Sequence, residues 1–114
     1  MGADSAVTQL RRGAVEHCVL ALLEEDERYG YDLVQELTAA GLVASEGTVY
    51  PLLSRLRKDA LVATLWRDSP AGPPRRYYVL TRTGQRALDD FRSAWTDFAA
   101  AVEAILHRRS KETP

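Results

Sequence analysis

Residues 45–60 are the stretch whose side-chain types and spacing could do chemistry, namely hydrogen bonding and charge contact with a nucleic acid. With about 100° between successive residues of a helix, the stretch divides into an apolar side and a polar side. The apolar side carries Val49, Leu52, Leu53, Leu56 and Ala60. The opposite side and its edges carry small, hydroxylated and basic residues, which are Gly47, Thr48, Tyr50, Pro51, Ser54, Arg55, Arg57 and Lys58.

These residue types at this spacing suit a groove in DNA. Small side chains allow close approach, hydroxyl groups can donate to phosphates or base edges, and cations neutralise the charge of the DNA backbone. The alternative is a helix whose charged side simply faces water, because most charge runs are solvated. The stretch alone leaves both interpretations open, and the elements around it must decide between them.

The charges are segregated along the chain. The net charge is -1 over 114 residues. Residues 45–86 hold eight cations and three anions, a balance of +5, whereas the rest of the chain has a balance of -6. Such segregation lets one surface face a polyanion while the remainder keeps the protein in solution. The distribution favours a nucleic-acid partner, although the net charge taken alone argues weakly against one.

Two helices are predicted before this stretch. Apolar residues recur by threes and fours over residues 6–23, and again over residues 32–40, with a polar loop at 24–28 between them. Gly41 stands where a left-handed residue ends a helix. Ser45 is the predicted N-cap of the third helix, and Pro51 suggests that its regular geometry begins nearer Thr48.

A β-hairpin is predicted after the third helix. Residues 61–67 alternate in strand fashion, residues 68–74 form a turn rich in Pro and Gly, and residues 75–80 return as a second strand. The hairpin carries Arg67, Arg75 and Arg76. Three helices followed by a two-stranded wing predict a mainly α, winged helix-turn-helix domain over residues 6–80.

The last helix is predicted to start after Thr81 and to run to about residue 108. Its apolar residues form a heptad seam, which consists of Leu88, Phe91, Trp95, Phe98, Val102 and Ile105. A helix of this length cannot bury such a seam against one small domain. We therefore predict that residues 81–109 dimerise with a second copy of the chain.

Four segments resemble the PadR family of bacterial transcription regulators, in the short subfamily with a single C-terminal helix. They are YGYDL at 29–33, EGTVYPLLSRL at 46–56, RYYVLT at 76–81 and TG at 83–84. The resemblance implies a homodimeric repressor that places its third helices in successive major grooves of a two-fold symmetric operator and is released by an inducing signal. The resemblance and the outer face of the third helix together predict which residues bind DNA. They are Tyr31, Thr48, Tyr50, Ser54, Arg55, Lys58, Arg75 and Arg76.

The resemblance also implies an effector site. In drug-sensing members a tryptophan of each C-terminal helix stacks on a flat cationic drug at the dimer interface, and Trp95 matches that position. Those members carry a carboxylate one turn further on, where this chain has Ala99. We therefore expect a small aromatic or apolar effector, contacted by Trp95, Leu88, Phe98 and Glu16. Simple packing of Trp95 in the seam is the alternative.

Other functional classes find no support in the sequence. His17, Cys18 and His107 form no catalytic or metal-ligating arrangement, so neither an enzyme, a metal site nor a cofactor is predicted. No apolar run approaches the roughly 18 residues of a membrane span. A single cysteine suggests a reducing cytoplasm.

A second function remains open at this point. The acidity of the whole chain would also fit a dimeric ligand-binding or protein-interaction module that has kept the winged-helix shape and lost its affinity for DNA.

Overall fold

Four helices and three strands follow one another in the computed structural model, which describes residues 3–109 apart from the side chains of residues 3–5, 7–9 and 12. They are α1 (Ala3–Glu25), β1 (Arg28–Tyr29), α2 (Gly30–Ala39), α3 (Glu46–Lys58), β2 (Val62–Ser69), β3 (Gly72–Leu80) and α4 (Arg82–Leu106). The strands form one antiparallel sheet in the order β1-β3-β2. The predicted fold class, a mainly helical winged helix with a long C-terminal helix, is confirmed.

The hydrophobic core lies where the four helices and the base of the sheet meet. Its members are Val15, Val19, Leu20, Leu23, Leu33, Val34, Leu37, Val43, Val49, Leu53, Leu56, Val62, Tyr78 and Leu88. Burying a side chain of this size contributes about 1.5–3 kcal/mol. The core fixes how the outer side of α3 is presented, because Val49 and Leu53 on its inner side are both 0% exposed.

The connection from α2 to α3 follows local sequence signals. Gly41 has a positive φ of 77°, as predicted for the residue that ends a helix. Ser45 is the N-cap of α3 in an extended conformation, but its side chain makes no capping hydrogen bond. Instead the hydroxyl of Thr48 donates to the Ser45 carbonyl oxygen at 2.9 Å. The helix begins at Glu46 and runs through Pro51, so the expected later start was wrong.

One strand was not predicted from the sequence. The polar loop expected at residues 24–28 is helical as far as Glu25, and Arg28 and Tyr29 pair with Tyr78 and Tyr77 of β3. A strand of two residues is too short to show alternation of apolar and polar side chains. The sheet therefore has a third strand, and this strand covers one edge of the predicted hairpin.

The turn of the wing is tighter than the predicted loop at residues 68–74. Ser69 pairs with Gly72, so Pro70 and Ala71 alone make the connection. Pro73 and Pro74 lie in β3, where the register shifts between Arg67 and Ser69. Proline has no N–H to donate, and it is tolerated where a bulge interrupts the ladder. The Pro and Gly content of residues 68–74 therefore led to a predicted turn that is longer than the observed one.

The first turn of α4 packs closely against the connection between α3 and β2 and is hydrogen-bonded to it through Thr81. The Thr81 hydroxyl accepts a hydrogen bond from the Gly84 N–H at 2.9 Å and donates to the Ala60 carbonyl oxygen at 2.7 Å. A Cβ on Gly84 would lie 2.0 Å from the Leu61 carbonyl oxygen. The predicted cap is confirmed, and the direction of α4 is set by this close backbone contact.

Leu88 of α4 belongs to the subunit's own core. Its side chain is 1% exposed, because α4 packs against α1 over this part of its length. The expectation that Leu88 contacts a partner helix and an effector was wrong, since no surface of it is left for either. The division of the chain into residues 6–80 and 81–109 stays a prediction.

Candidate nucleic-acid interface

The outer side of α3 is exposed as predicted. Ser54 and Lys58 face solvent together with Gly47 and Pro51. No side chain on this side is larger than proline until Lys58 near the helix end, so the backbone of α3 could approach another molecule closely. The arrangement fits a helix that enters the major groove of DNA and places its cations near the phosphates of the DNA backbone.

One edge of α3 faces α1. Arg55 donates from Nη2 to Oε1 of Glu16 at 2.8 Å. A cavity of about 420 Å³ lies beside this ion pair, and its lining includes Thr48 and Arg11. Glu16, predicted to contact an effector, is thus engaged with a member of the predicted DNA-binding set. Sequence reasoning missed this pairing because 39 residues separate the two partners.

The other edge of α3 faces a group of tyrosines. The side chains of Tyr31 and Tyr50 are 50% and 42% exposed, whereas Tyr78 is buried at 7%. Burial raises the pKa of the Tyr50 phenol, and the nearby Glu46 carboxylate adds to the rise. Like an ordinary phenol, the Tyr50 hydroxyl is protonated at neutral pH and can donate a hydrogen bond. Tyr78 is part of the hydrophobic core and contributes to packing.

The wing carries two arginines that lie over aromatic rings. The Arg75 guanidinium is 4.8 Å from the ring centroid of Tyr29, and that of Arg76 is 5.2 Å from Trp66. Stacking on a ring holds the flat guanidinium while its N–H edge remains open to a phosphate. Trp66 is 63% exposed and was not among the predicted site residues. The signal available in the sequence was a tryptophan next to Arg67 on the first strand of the predicted hairpin.

Arg67 of the wing is already paired. Two of its guanidinium nitrogens bond to the Glu27 carboxylate, with Nη2 donating to Oε1 at 2.7 Å and Nε donating to Oε2. Hydrogen bonding to Arg67 lowers the pKa of Glu27, and the same contact raises that of Arg67. The pair ties β2 to the segment just before β1. Of the three cations expected on the hairpin, Arg75 and Arg76 are therefore the two without a carboxylate partner among the described residues.

The far part of α4 presents an apolar seam. Trp95, Phe98 and Ile105 are 49%, 64% and 61% exposed. The nearer Phe91 is partly buried and stacks on Trp95 with 5.9 Å between the ring centroids. Large exposed apolar side chains in a row are typical of an interaction surface. Val102 completes the predicted set and is partly exposed.

The described part of the chain offers little for other chemistry. No group of three His, Cys, Asp or Glu side chains within it could hold a metal ion. Burial raises the pKa of the Cys18 thiol, which disfavours the reactive thiolate. No helix in residues 3–109 is both long enough and apolar enough to cross a membrane.

Comparisons with known proteins identify the family. The family described as Transcriptional regulator PadR-like matches residues 19–90. Transcriptional regulator Rv3488 of Mycobacterium tuberculosis is 36% identical over 94 residues, which cover 82% of this chain and 87% of that protein.

Solved structures agree with this match. The PadR family transcriptional regulator from Eggerthella lenta is 35% identical and covers 93% of both chains with a TM-score of 0.80. The PadR-like transcriptional regulator from Bacillus cereus is 34% identical and covers 89% of this chain and 99% of its own, with a TM-score of 0.81. The chain therefore belongs to the PadR-like family of transcriptional regulators, which bind DNA and are not enzymes.

Proposed function

We propose that the protein is a homodimeric, cytoplasmic repressor that binds a two-fold symmetric operator. The observation that carries the proposal is that Ser54 and Lys58 are exposed on α3 while the wing presents Arg75 and Arg76 stacked on aromatic rings. A helix for the major groove and a basic ribbon for the adjacent backbone belong together in a winged-helix protein. Tyr31, Thr48, Tyr50 and Arg55 flank the same surface.

Dimerisation is supported by the seam on α4. Phe98 and Ile105 are both more than 60% exposed, and they recur at the spacing of a coiled coil. A single subunit has nothing to cover them among its described residues. A second copy that packs the same seam against this one would bury both sets at once and would hold two α3 helices in a fixed relation, as a symmetric operator requires.

An effector site at the dimer interface is the finer part of the proposal. Trp95 is half exposed and stacks on Phe91, so its ring offers a flat apolar surface. Two such rings from two subunits could enclose a small aromatic or apolar molecule together with Phe98. Ala99 gives no carboxylate at the position where a cationic drug would need one.

The experiment is a selection of bound fragments from the host genome with purified full-length protein, followed by affinity measurements on the selected site. Specific binding should fall steeply as salt concentration rises, because the protein displaces counterions from the DNA. The expected result is a selected site with two-fold symmetry that binds two copies of the chain, one dimer, per duplex. Failure to bind any genomic fragment at low salt would contradict the proposal.

A dimeric module without DNA affinity is the second candidate. It is favoured by one observation, the pairing of Arg55 and Arg67 with Glu16 and Glu27, which cancels two cations near the interface. Quenching of Trp95 fluorescence by a ligand in a Trp66→Phe background, in a protein that binds no genomic fragment at low salt, would support this candidate over the repressor.

A further inference from the structure

The ion pair between Glu16 and Arg55 joins a partly buried side chain of α1 to an exposed side chain of α3. The Glu16 side chain is 31% exposed and that of Arg55 is 58% exposed. Their contact uses one N–H of Arg55, from Nη2, at 2.8 Å. A guanidinium has five N–H donors, so Nε and Nη1 keep theirs. The carboxylate thus fixes one end of the guanidinium while the remaining donors stay available.

The carboxylate itself is carried by a rigid part of the fold. Glu16 follows Val15 on α1, which is 7% exposed and part of the core. The second carboxylate oxygen, Oε2, lies 3.9 Å from Nε2 of His17. The His17 ring in turn stacks on Phe91 of α4 at 3.9 Å between centroids. A side chain held on a packed helix is a suitable anchor for orienting another.

We propose that Glu16 is a positioning residue that makes Arg55 contribute to sequence discrimination rather than to general affinity. The inference rests on the proposed function. An arginine that is held before binding loses less side-chain entropy, and its unused N–H groups can then face the acceptors of a guanine edge. The carboxylate also cancels the charge that Arg55 would otherwise offer to any phosphate, which weakens binding to unrelated DNA.

The test uses the full-length protein and two duplexes of equal length, the selected operator and a scrambled version of it. Glu16→Ala removes the charge and the acceptor, whereas Glu16→Gln removes the charge and keeps an acceptor oxygen for Arg55. Asp59→Asn is the matched control. Asp59 is an exposed carboxylate at the end of α3, the helix that carries Arg55, and it has no ion pair among the described residues. Affinity for each duplex is measured at several salt concentrations.

In Glu16→Ala, binding to the scrambled duplex should strengthen and the ratio of operator to scrambled affinity should fall about tenfold, in the range that one base-specific pairing contributes. Glu16→Gln should strengthen binding to both duplexes and keep most of the ratio. Asp59→Asn should leave the ratio unchanged. In an Arg55→Ala background, Glu16→Ala should no longer alter the ratio, because the residue that it positions is absent.

An unchanged ratio in a folded Glu16→Ala protein would overturn the inference, since Glu16 would then act through charge alone. Equal ratios for Glu16→Ala and Asp59→Asn would have the same meaning. These results differ from a failure of the proposed function, in which the unaltered protein binds neither duplex or does not distinguish them. Thermal unfolding of each variant shows that it is folded. If Glu16→Ala is not, the ratio for Arg55→Ala decides, because an unchanged ratio there would also overturn the inference.

Discussion

The imidazole of His17 on α1 and the ring of Phe91 on α4 stack face to face, with 3.9 Å between their centroids and 4° between their planes. The contact lies at the point where α4 leaves the winged-helix core and its apolar seam begins. It connects the helix that carries Glu16 with the helix that carries Trp95. The orientation of the proposed DNA-binding surface relative to the proposed dimer seam therefore depends on the packing of α1 against α4.

Replacing Gly84 with alanine should strongly destabilise the protein. The new Cβ would lie 2.0 Å from the Leu61 carbonyl oxygen and 2.7 Å from Cδ1 of Leu80, so backbone would have to move. We expect a loss of about 3 kcal/mol in the free energy of unfolding, measured by urea denaturation at fixed protein concentration. Gly72→Ala is the control, because nothing lies within 4 Å of its Cβ, and it should change stability by less than about 0.5 kcal/mol.

The contact between Glu24 and Arg92 should make the protein sensitive to acid. Hydrogen bonds from Arg92 and then from Gln85 lower the pKa of Glu24 below its ordinary value of 4.5. A carboxyl group with a lowered pKa stabilises the fold above its unfolded pKa, and this stabilisation is lost as the pH falls through the lowered value. Unfolding by urea between pH 6 and pH 3 should therefore show a smaller loss of stability in Glu24→Gln than in the unaltered protein.

Asp90→Asn serves as the control for this acid sensitivity. Asp90 is exposed on α4 and has no ion pair in the part of the chain that the structure describes. Its removal should leave the pH dependence of stability as it is. A profile for Glu24→Gln that coincides with that of the unaltered protein would show that the Glu24 contact does not persist in solution.

Arg75 and Arg76 should contribute to DNA affinity without reading sequence. Replacing both with alanine should weaken binding to operator and scrambled duplexes alike. The slope of log affinity against log salt should become shallower by about 0.9 for each phosphate that the variant no longer neutralises. Filter binding or fluorescence anisotropy at four or five salt concentrations measures both quantities.

The matched variant for the wing is Glu27→Gln combined with Arg67→Gln. It removes the ion pair that joins β2 to the segment before β1 and leaves the net charge of the protein unchanged. Because Arg67 is already neutralised by Glu27, this pair should leave the salt slope close to that of the unaltered protein. An equal reduction of the slope in both variants would show that Arg67 contacts phosphate as well.

Phe98→Asp should separate the proposed dimer. The side chain is 64% exposed in the single subunit, and a carboxylate there would be buried without a partner in a packed seam. We expect association at least about 100-fold weaker, seen by sedimentation equilibrium. Ala100→Glu, on the opposite side of α4, should associate normally. A monomeric mass for the unaltered protein at micromolar concentration would refute the dimer.

Local pattern was enough to predict much of the fold. The inner and outer sides of α3, the positive φ at Gly41 and the cap at Thr81 each depend on residues within one or two turns of each other. Helical periodicity and capping express themselves over such distances, so they can be predicted without knowing the rest of the chain. The seam on α4 was predicted for the same reason.

The sequence by itself determined which residues share a face, and the tertiary structure decided which of those faces remain open. Leu88 has the spacing of the seam but is buried in the core. Arg67 has the charge of a DNA-binding residue but pairs with Glu27, 40 residues away. Spacing along a helix or strand repeats with the geometry of the backbone, whereas burial and ion pairing depend on which distant segment lies opposite. Only the packed chain brings those segments together.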